Sequence, residues 1–223
     1  MCVPGACKYP ADVAPFGGTA DNSAASLRRL VSLLAPEETV YVMGDVPPGW
    51  PAGECYHALQ MIAAGIPEGP LSRLELRVES DVSPVQLSAA DADAMVELTT
   101  LAFPGFFRRR TCEMGAYYGI RIGGDLVAMA GERMAVPGYR EISGVCTHPA
   151  HTGKGYAAKL IARLMQDHAR AGLQSFLHVS AANERAIALY TRLGYWVRTE
   201  IRLHSVRGHA PENRALLNGG IQG

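Results

Sequence analysis

Apolar residues recur along this chain with two periods, and the changes of period mark out its elements. Leu27, Leu30, Val31 and Leu34 fall three and four residues apart, as on one face of a helix. Thr39 to Met43 reads as a strand, the Pro- and Gly-rich run from Pro47 to Gly53 as a loop, and Leu74 to Val78 as a further strand. After Asp81, Val85 to Leu87 is a short strand. Ser88-Ala89-Ala90-Asp91 has the form of a capping box that opens a helix to about Ala102. Pro104 to Arg110 is a loop. Tyr118 to Ile122 and Leu126 to Met134 form a hairpin around Gly123-Gly124.

Glu141 to Cys146 is mostly apolar without a helical period, and Pro149 stops it as a buried strand would be stopped. From Ala157 the period becomes helical. Ala157, Leu160, Ile161, Leu164, Met165 and His168 share one face, and Lys159, Arg163, Gln166, Asp167 and Arg170 the other. A strand from Ser175 to Val179, a helix after Asn183 and a last strand from Trp196 to Val206 follow. Pro211 to Gly223 reads as a loose tail.

Gly153 and Gly155 therefore stand where a helix leaves its first backbone N–H groups unpaired, with no side chain to hold a ligand away. Such a start favours a phosphate or pyrophosphate. A P-loop is excluded, because Gly155 follows Lys154 where a metal-binding hydroxyl is required. Gly153, Gly155 and Ala158 satisfy the spacing of a nicotinamide dinucleotide fingerprint. Thr147 to Thr152 intervenes after the strand, however, and Ser175 to Ser180 supplies no acid for a ribose. That reading stays open as an oxidoreductase alternative.

Thr152-Gly153-Lys154-Gly155-Tyr156-Ala157 resembles the coenzyme A pyrophosphate motif of the GCN5-related N-acetyltransferases, written Q/R-x-x-G-x-G/A. Val145-Cys146-Thr147-His148-Pro149 is similar to the strand and turn that precede it in the family. A second family signature, an Asn followed by a helix ending in Leu-Gly-aromatic, is matched by Asn183 through Tyr190 to Leu193-Gly194-Tyr195. Two signatures in the correct order are far more specific than one. Thr152 departs from the usual Gln or Arg, which removes one long side chain from the pyrophosphate.

The resemblance implies an α/β fold, with a mixed, mostly antiparallel sheet flanked by helices. It spans about residues 83 to 206, so the spans expected are an N-terminal α/β extension (1–80), an acetyltransferase domain (81–206) and a tail (207–223). Within the family the chain is most similar to the FR47-like subgroup, whose members often carry a degenerate acyltransferase-like N-terminal lobe.

The chemistry implied is acetyl transfer from acetyl-CoA to a primary amine by direct attack in a ternary complex. Glu141 lies fourteen residues before Gly155, the offset of the catalytic glutamate in one branch of the family. At the start of a buried strand, desolvation is expected to raise its pKa toward that of a useful general base. Tyr190 shares a helical face with Ala186, Ile187 and Leu193, and the resemblance makes it the acid that protonates the leaving thiolate. Coenzyme contacts are expected from Val145, Cys146 and Thr147 along the pantetheine arm, from Thr152, Gly153, Lys154, Gly155, Tyr156, Ala157 and Ala158 around the pyrophosphate, and from Asn183. Asn183 also reads as a helix N-cap.

Other residues read more plainly. Cys146 beside His148 lacks a third orienting group, so a core thiol is expected rather than a nucleophile. His148 and His151 lack clustered ligands, and no metal site is expected. Arg108-Arg109-Arg110 reads as a solvated charge run or as a carboxylate grip for the acceptor.

The composition fits this picture. Of 223 residues 48% are hydrophobic, enough for a proper core, and Lys+Arg and Asp+Glu each total 21. That balance gives no global attraction to nucleic acid or to an anionic membrane. Five scattered cysteines without metal spacing point to reduced thiols in a cytoplasmic protein. The acceptor is a small-molecule amine, an amino acid or a peptide N-terminus, and the chain is expected to be a monomer or homodimer. A non-catalytic module that senses acyl-CoA is the alternative of a different class.

Overall fold

The computed structural model describes residues 1–51, 53–64 and 82–208. In chain order its strands are β1 (Cys2–Val3), β2 (Ala6–Lys8), β3 (Phe16–Thr19), β4 (Thr39–Met43), β5 (Cys55–Ala63), β6 (Val85–Leu87), β7 (Tyr117–Ile122), β8 (Asp125–Val136), β9 (Tyr139–Thr147), β10 (Gln174–Ser180) and β11 (Tyr195–Arg207). Its helices are α1 (Ala24–Ser32), α2 (Ala92–Ala102), α3 (Tyr156–Arg170) and α4 (Glu184–Arg192). The chain divides into two compact units. Met1–Ala58 and the residues from Ile201 onward form one, and Leu59–Glu200 the other. The expected strand from Leu74 to Val78 and the tail from Pro211 to Gly223 lie outside the described residues.

In the first unit the helical spacing near Leu27 is realised in α1. The Ser23 hydroxyl caps it by accepting from Ser26 N at 3.2 Å. Leu27, Leu30, Val31 and Leu34 bury this face against Ala6, Val40, Val42 and Val206. β3 runs parallel to β4, and β4 antiparallel to the C-terminal half of β11, with Val42 opposite His204. The expectation of five reduced thiols is corrected here. Cys2 lies opposite Cys7 in the β1–β2 hairpin, and the two form a disulfide. Cys55, Cys112 and Cys146 are free thiols.

In the second unit β6, β7, β8 and β9 pair antiparallel in sequence, and β10 then joins β9 in parallel. This is the mixed, mostly antiparallel sheet expected. Helix α3 covers one face, where Leu160, Ile161, Leu164 and Met165 pack with Ile142, Leu177 and Val179, and Tyr190 of α4 and Leu193 at its C-cap join the same core. Helix α2 covers the other, with Met95 and Leu98 packed against Leu87, Tyr117, Met129 and Cys146. The Ser88–Asp91 capping box forms as the spacing predicts, ahead of α2. The buried face of α3 is rotated slightly from its expected position, with Ala158 and Ala162 buried and Ala157 half-buried.

β5 was not foreseen. Its burial follows Ala58, Met61 and Ala63, a three-then-two spacing that carries neither strand alternation nor a full helical stripe. Met61 and Ala63 belong to the core beneath α3. The compact unit built on this core begins at Leu59.

Candidate functional site

The site begins where β9 and β10 part. Their register runs from Tyr139–Gln174 to Ile142–Leu177, whereas β9 continues to Thr147 and β10 to Ser180. On its other edge β9 stays paired with β8, but the register shifts between Ser143 and Cys146. Gly144 sits in this bulge with φ +62°. Val145, Cys146 and Thr147 thus leave β10 and run toward the start of α3 along an edge open to another extended chain.

The turn after Thr147 is built from its own side chains. The His148 imidazole accepts from Ala150 N at 3.1 Å, and the Thr152 hydroxyl donates to Pro149 O at 3.2 Å. Gly153 and Gly155 both take left-handed backbone, with φ +81° and +79°. Among the described residues a Cβ at Gly153 would meet nothing within 4 Å, so conformation rather than crowding calls for glycine there. Gly155 is the N-cap of α3 and supplies no side-chain cap. The start of this 15-residue helix thus lies at the positive end of its dipole with no side chain of its N-cap over it. These features fit a pyrophosphate. Tyr156 and Ala158 face the core, 1% and 3% exposed, so only their backbone is placed to meet one.

Asn183 caps α4, its side-chain oxygen accepting from Ala186 N at 3.1 Å. Tyr190 points inward as expected, with its ring edge-on to Tyr195 at 6.1 Å between centroids. Burial pushes its phenol up to about 12.

Glu141 departs from expectation. Its carboxylate is fully buried and already engaged. Arg133 Nε donates to one oxygen at 3.0 Å and Arg133 Nη2 to the other at 2.5 Å, while His178 Nδ1 lies 2.8 Å from the second oxygen. Burial alone would push its pKa up. The Arg133 charge and the His178 and Arg133 hydrogen bonds outweigh burial, and the pKa lies below the ordinary carboxylate value. The predicted rise is thus corrected, because desolvation came together with a cation that sequence spacing did not reveal. Arg133, His178 and Gln60 were missed. Their positions on strands far apart in sequence carry no local motif, and only the sheet brings them together.

The remaining candidates are placed plainly. Cys146 is buried, and its thiol is pushed up to about 12, so it is a core residue and not a nucleophile. The imidazoles of His148 and His151 stack edge-on at 5.8 Å. Among the described residues no group of His, Cys, Asp or Glu could hold a metal ion. Arg109 pairs with Asp93, and Arg110 with Glu113 at 2.7 Å. Phe107 is buried against Tyr117. Ser175, His168 and Glu132 form a row at 2.7 and 3.0 Å that imitates a hydrolytic triad. Ser175 and His168 are only 4% and 2% exposed, so that row ties α3 to the sheet instead. No helix of the described residues is long and apolar enough to cross a membrane.

The family model for FR47-like proteins matches residues 117–203, from β7 to β11. A solved structure from Novosphingobium aromaticivorans, named as an acetyltransferase from the GNAT family, is 31% identical and superposes with a TM-score of 0.79. The match covers 94% of this chain and 91% of that one. A GCN5-related N-acetyltransferase from Kribbella flavida shares the fold at 19% identity and a TM-score of 0.56, over 88% of this chain and 83% of its own. No curated protein matches the chain. The strand that parts from its neighbour, the glycine-started helix behind it and the relative matched over nearly its whole length agree: the chain belongs to the GCN5-related N-acetyltransferase (GNAT) superfamily, in its FR47-like branch.

Proposed function

We propose that the protein transfers an acetyl group from acetyl-CoA to a primary amine by direct attack in a ternary complex. One observation carries this reading: the edge of β9 that parts from β10 leads directly into a glycine-started helix, with no described residue within 4 Å of where a Cβ of Gly153 would stand. An extended arm ending in a pyrophosphate fits such a path, with its amides along Val145, Cys146 and Thr147 and its phosphates at the N–H groups from Gly153 to Ala157. Thr152, Lys154 and Asn183 flank it. The acyl carbonyl lies by the bulge at Gly144, where a backbone N–H can polarise it. Tyr190, held protonated through neutral pH, is suited to meet the developing thiolate. Glu141 anchors the opposite side, where the amine loses its proton.

The acceptor is a small-molecule amine, an amino acid or a peptide N-terminus. The test is thiol release from acetyl-CoA across a panel of such amines. Acceptor-dependent release is expected. Binding of acetyl-CoA with no release by any acceptor would leave a coenzyme-binding module and overturn the enzymatic reading.

A further inference from the structure

Five strands of the second unit each give one side chain to a single hydrogen-bonded row. Arg133 of β8 holds Glu141 of β9, and Glu141 meets His178 Nδ1 of β10 at 2.8 Å. His178 Nε2 lies 3.0 Å from the side-chain nitrogen of Gln60 on β5, whose oxygen accepts from Arg198 Nη1 of β11 at 2.6 Å. Phe176 stands edge-on to the imidazole at 5.7 Å.

The two ends of the row fix the protons between them. Arginine can only donate, so the Gln60 oxygen must face Arg198 and its N–H must face His178. An N–H cannot bond to another N–H, so His178 Nε2 presents a lone pair. A carboxylate gripped by arginine can only accept, so Nδ1 carries the imidazole proton. These bonds select one tautomer, with the Nε2 lone pair aimed at a donor.

We infer that, within the acyl-transfer reading above, His178 and not Glu141 takes the proton of the acceptor ammonium, that Glu141 is its positioning residue, and that the Gln60 amide holds the donor's place until the acceptor arrives. Glu141 is poorly placed for the task, since it has no exposed surface and three N–H groups already bond its two oxygens. His178 follows Leu177, the residue at which β10 parts from β9. Leu177 and Val179 face the core beneath α3, so His178 faces the other side of the sheet. Tyr190 lies in the core beneath α3. Proton acceptor and proton donor thus stand on opposite faces of the sheet at one opening, which keeps the group that takes the amine's proton apart from the group that serves sulfur. The Tyr117 hydroxyl, packed in the α2-side core, is buried with no hydrogen-bond partner among the described residues, a second polar atom there that an acceptor could satisfy.

The balance is simple. One ammonium proton passes to His178 Nε2, and the freed nitrogen lone pair forms the C–N bond as the C–S bond breaks. Tyr190 gives its proton to sulfur and is restored, through water, by the second proton leaving nitrogen. His178 releases its proton to solvent. One proton ends on sulfur and one in water.

The test is the pH profile of kcat/KM in three proteins, with an acceptor from the amine panel. In the wild type a rising limb should report His178. His178→Gln should lose that limb and about 10²–10⁴-fold in rate, while acetyl-CoA still raises its melting temperature. Glu141→Gln should keep the limb but move it to lower pH, because the imidazolium has lost its anionic partner. A structural role for Glu141 would not move a limb. Nitrogen NMR of the wild-type imidazole should show the Nδ1–H tautomer, and this measurement stands even where a variant does not fold. An unchanged limb in His178→Gln, or an Nε2–H tautomer, overturns the inference while acyl transfer survives. Absence of turnover with every acceptor in the wild type overturns both.

Discussion

Arg133 closes a two-point grip on Glu141, with Nε at 3.0 Å and Nη2 at 2.5 Å from the two oxygens of a carboxylate that has no exposed surface. Taking both charges from water is costly, and the grip with His178 offsets that cost only while all partners are present.

Arg133→Met should therefore destabilise the protein by about 3–5 kcal/mol, read from the urea midpoint, because it strands a buried carboxylate. Replacing both residues with apolar ones should recover much of the loss. An Arg133→Met protein as stable as the wild type would mean that the pair is open to water.

The same pair sets an acid response. The folded pKa of Glu141 is lowered, so its stabilisation is present above the unfolded value of about 4.3 and fades as pH falls toward the folded one. The stability gap between wild type and Glu141→Gln should narrow below about pH 4.3. A gap that widens with acid would reverse the sign of the shift.

Acetyl-CoA should raise the melting temperature, and NAD or NADP should not, because binding to the folded state alone stabilises it. Gly155→Glu should abolish the effect. Its φ of +79° disfavours a side chain, and the new carboxylate would stand at the helix start reserved for phosphate. A folded variant with unaltered coenzyme binding would displace the site from α3.

Tyr190→Phe should keep its packing against Tyr195 and its stability, while turnover falls roughly 10–10³-fold. Full activity would reduce Tyr190 to a core residue.

Alkylation should separate the thiols. Cys55 is exposed, whereas Cys146 is buried with its pKa pushed up to about 12, leaving roughly one part in 10⁴ as thiolate at pH 8. Mass spectrometry of the native protein should find Cys55 modified long before Cys146. Equal rates would show that β9 opens readily.

What the sequence revealed follows from how local each signal is. The α3 helix, the Ser88–Asp91 box and the Gly123-Gly124 turn are written in neighbouring residues, and each forms where its spacing predicts, although the buried face of α3 is turned slightly toward Ala158 and Ala162. Gly153, Gly155 and Asn183 were readable for the same reason, since a helix start is a property of a few consecutive residues. Arg133, His178 and Gln60 were not readable. They meet Glu141 only because β5, β8, β9 and β10 lie in one sheet, and Gln60 is 118 residues from His178. Glu141 was found by its offset from Gly155, but its charge environment lies on other strands. The Cys2–Cys7 bond was missed because nothing in a five-residue spacing distinguishes a hairpin from a loop.

The way the first unit brackets the second also sets an order of events on the ribosome. β4 is made early, yet its antiparallel partner is the end of β11, and the Asp45–Arg202 pair joins residues 157 apart. The whole of Leu59–Glu200 is synthesised in between. The second unit can thus condense around α3 and α4 while β4 still lacks one neighbour, and the N-terminal unit, first to emerge, is last to be completed. A released chain that ends at Glu200 should then resist protease across residues 82–200 while Met1–Ala58 is still digested.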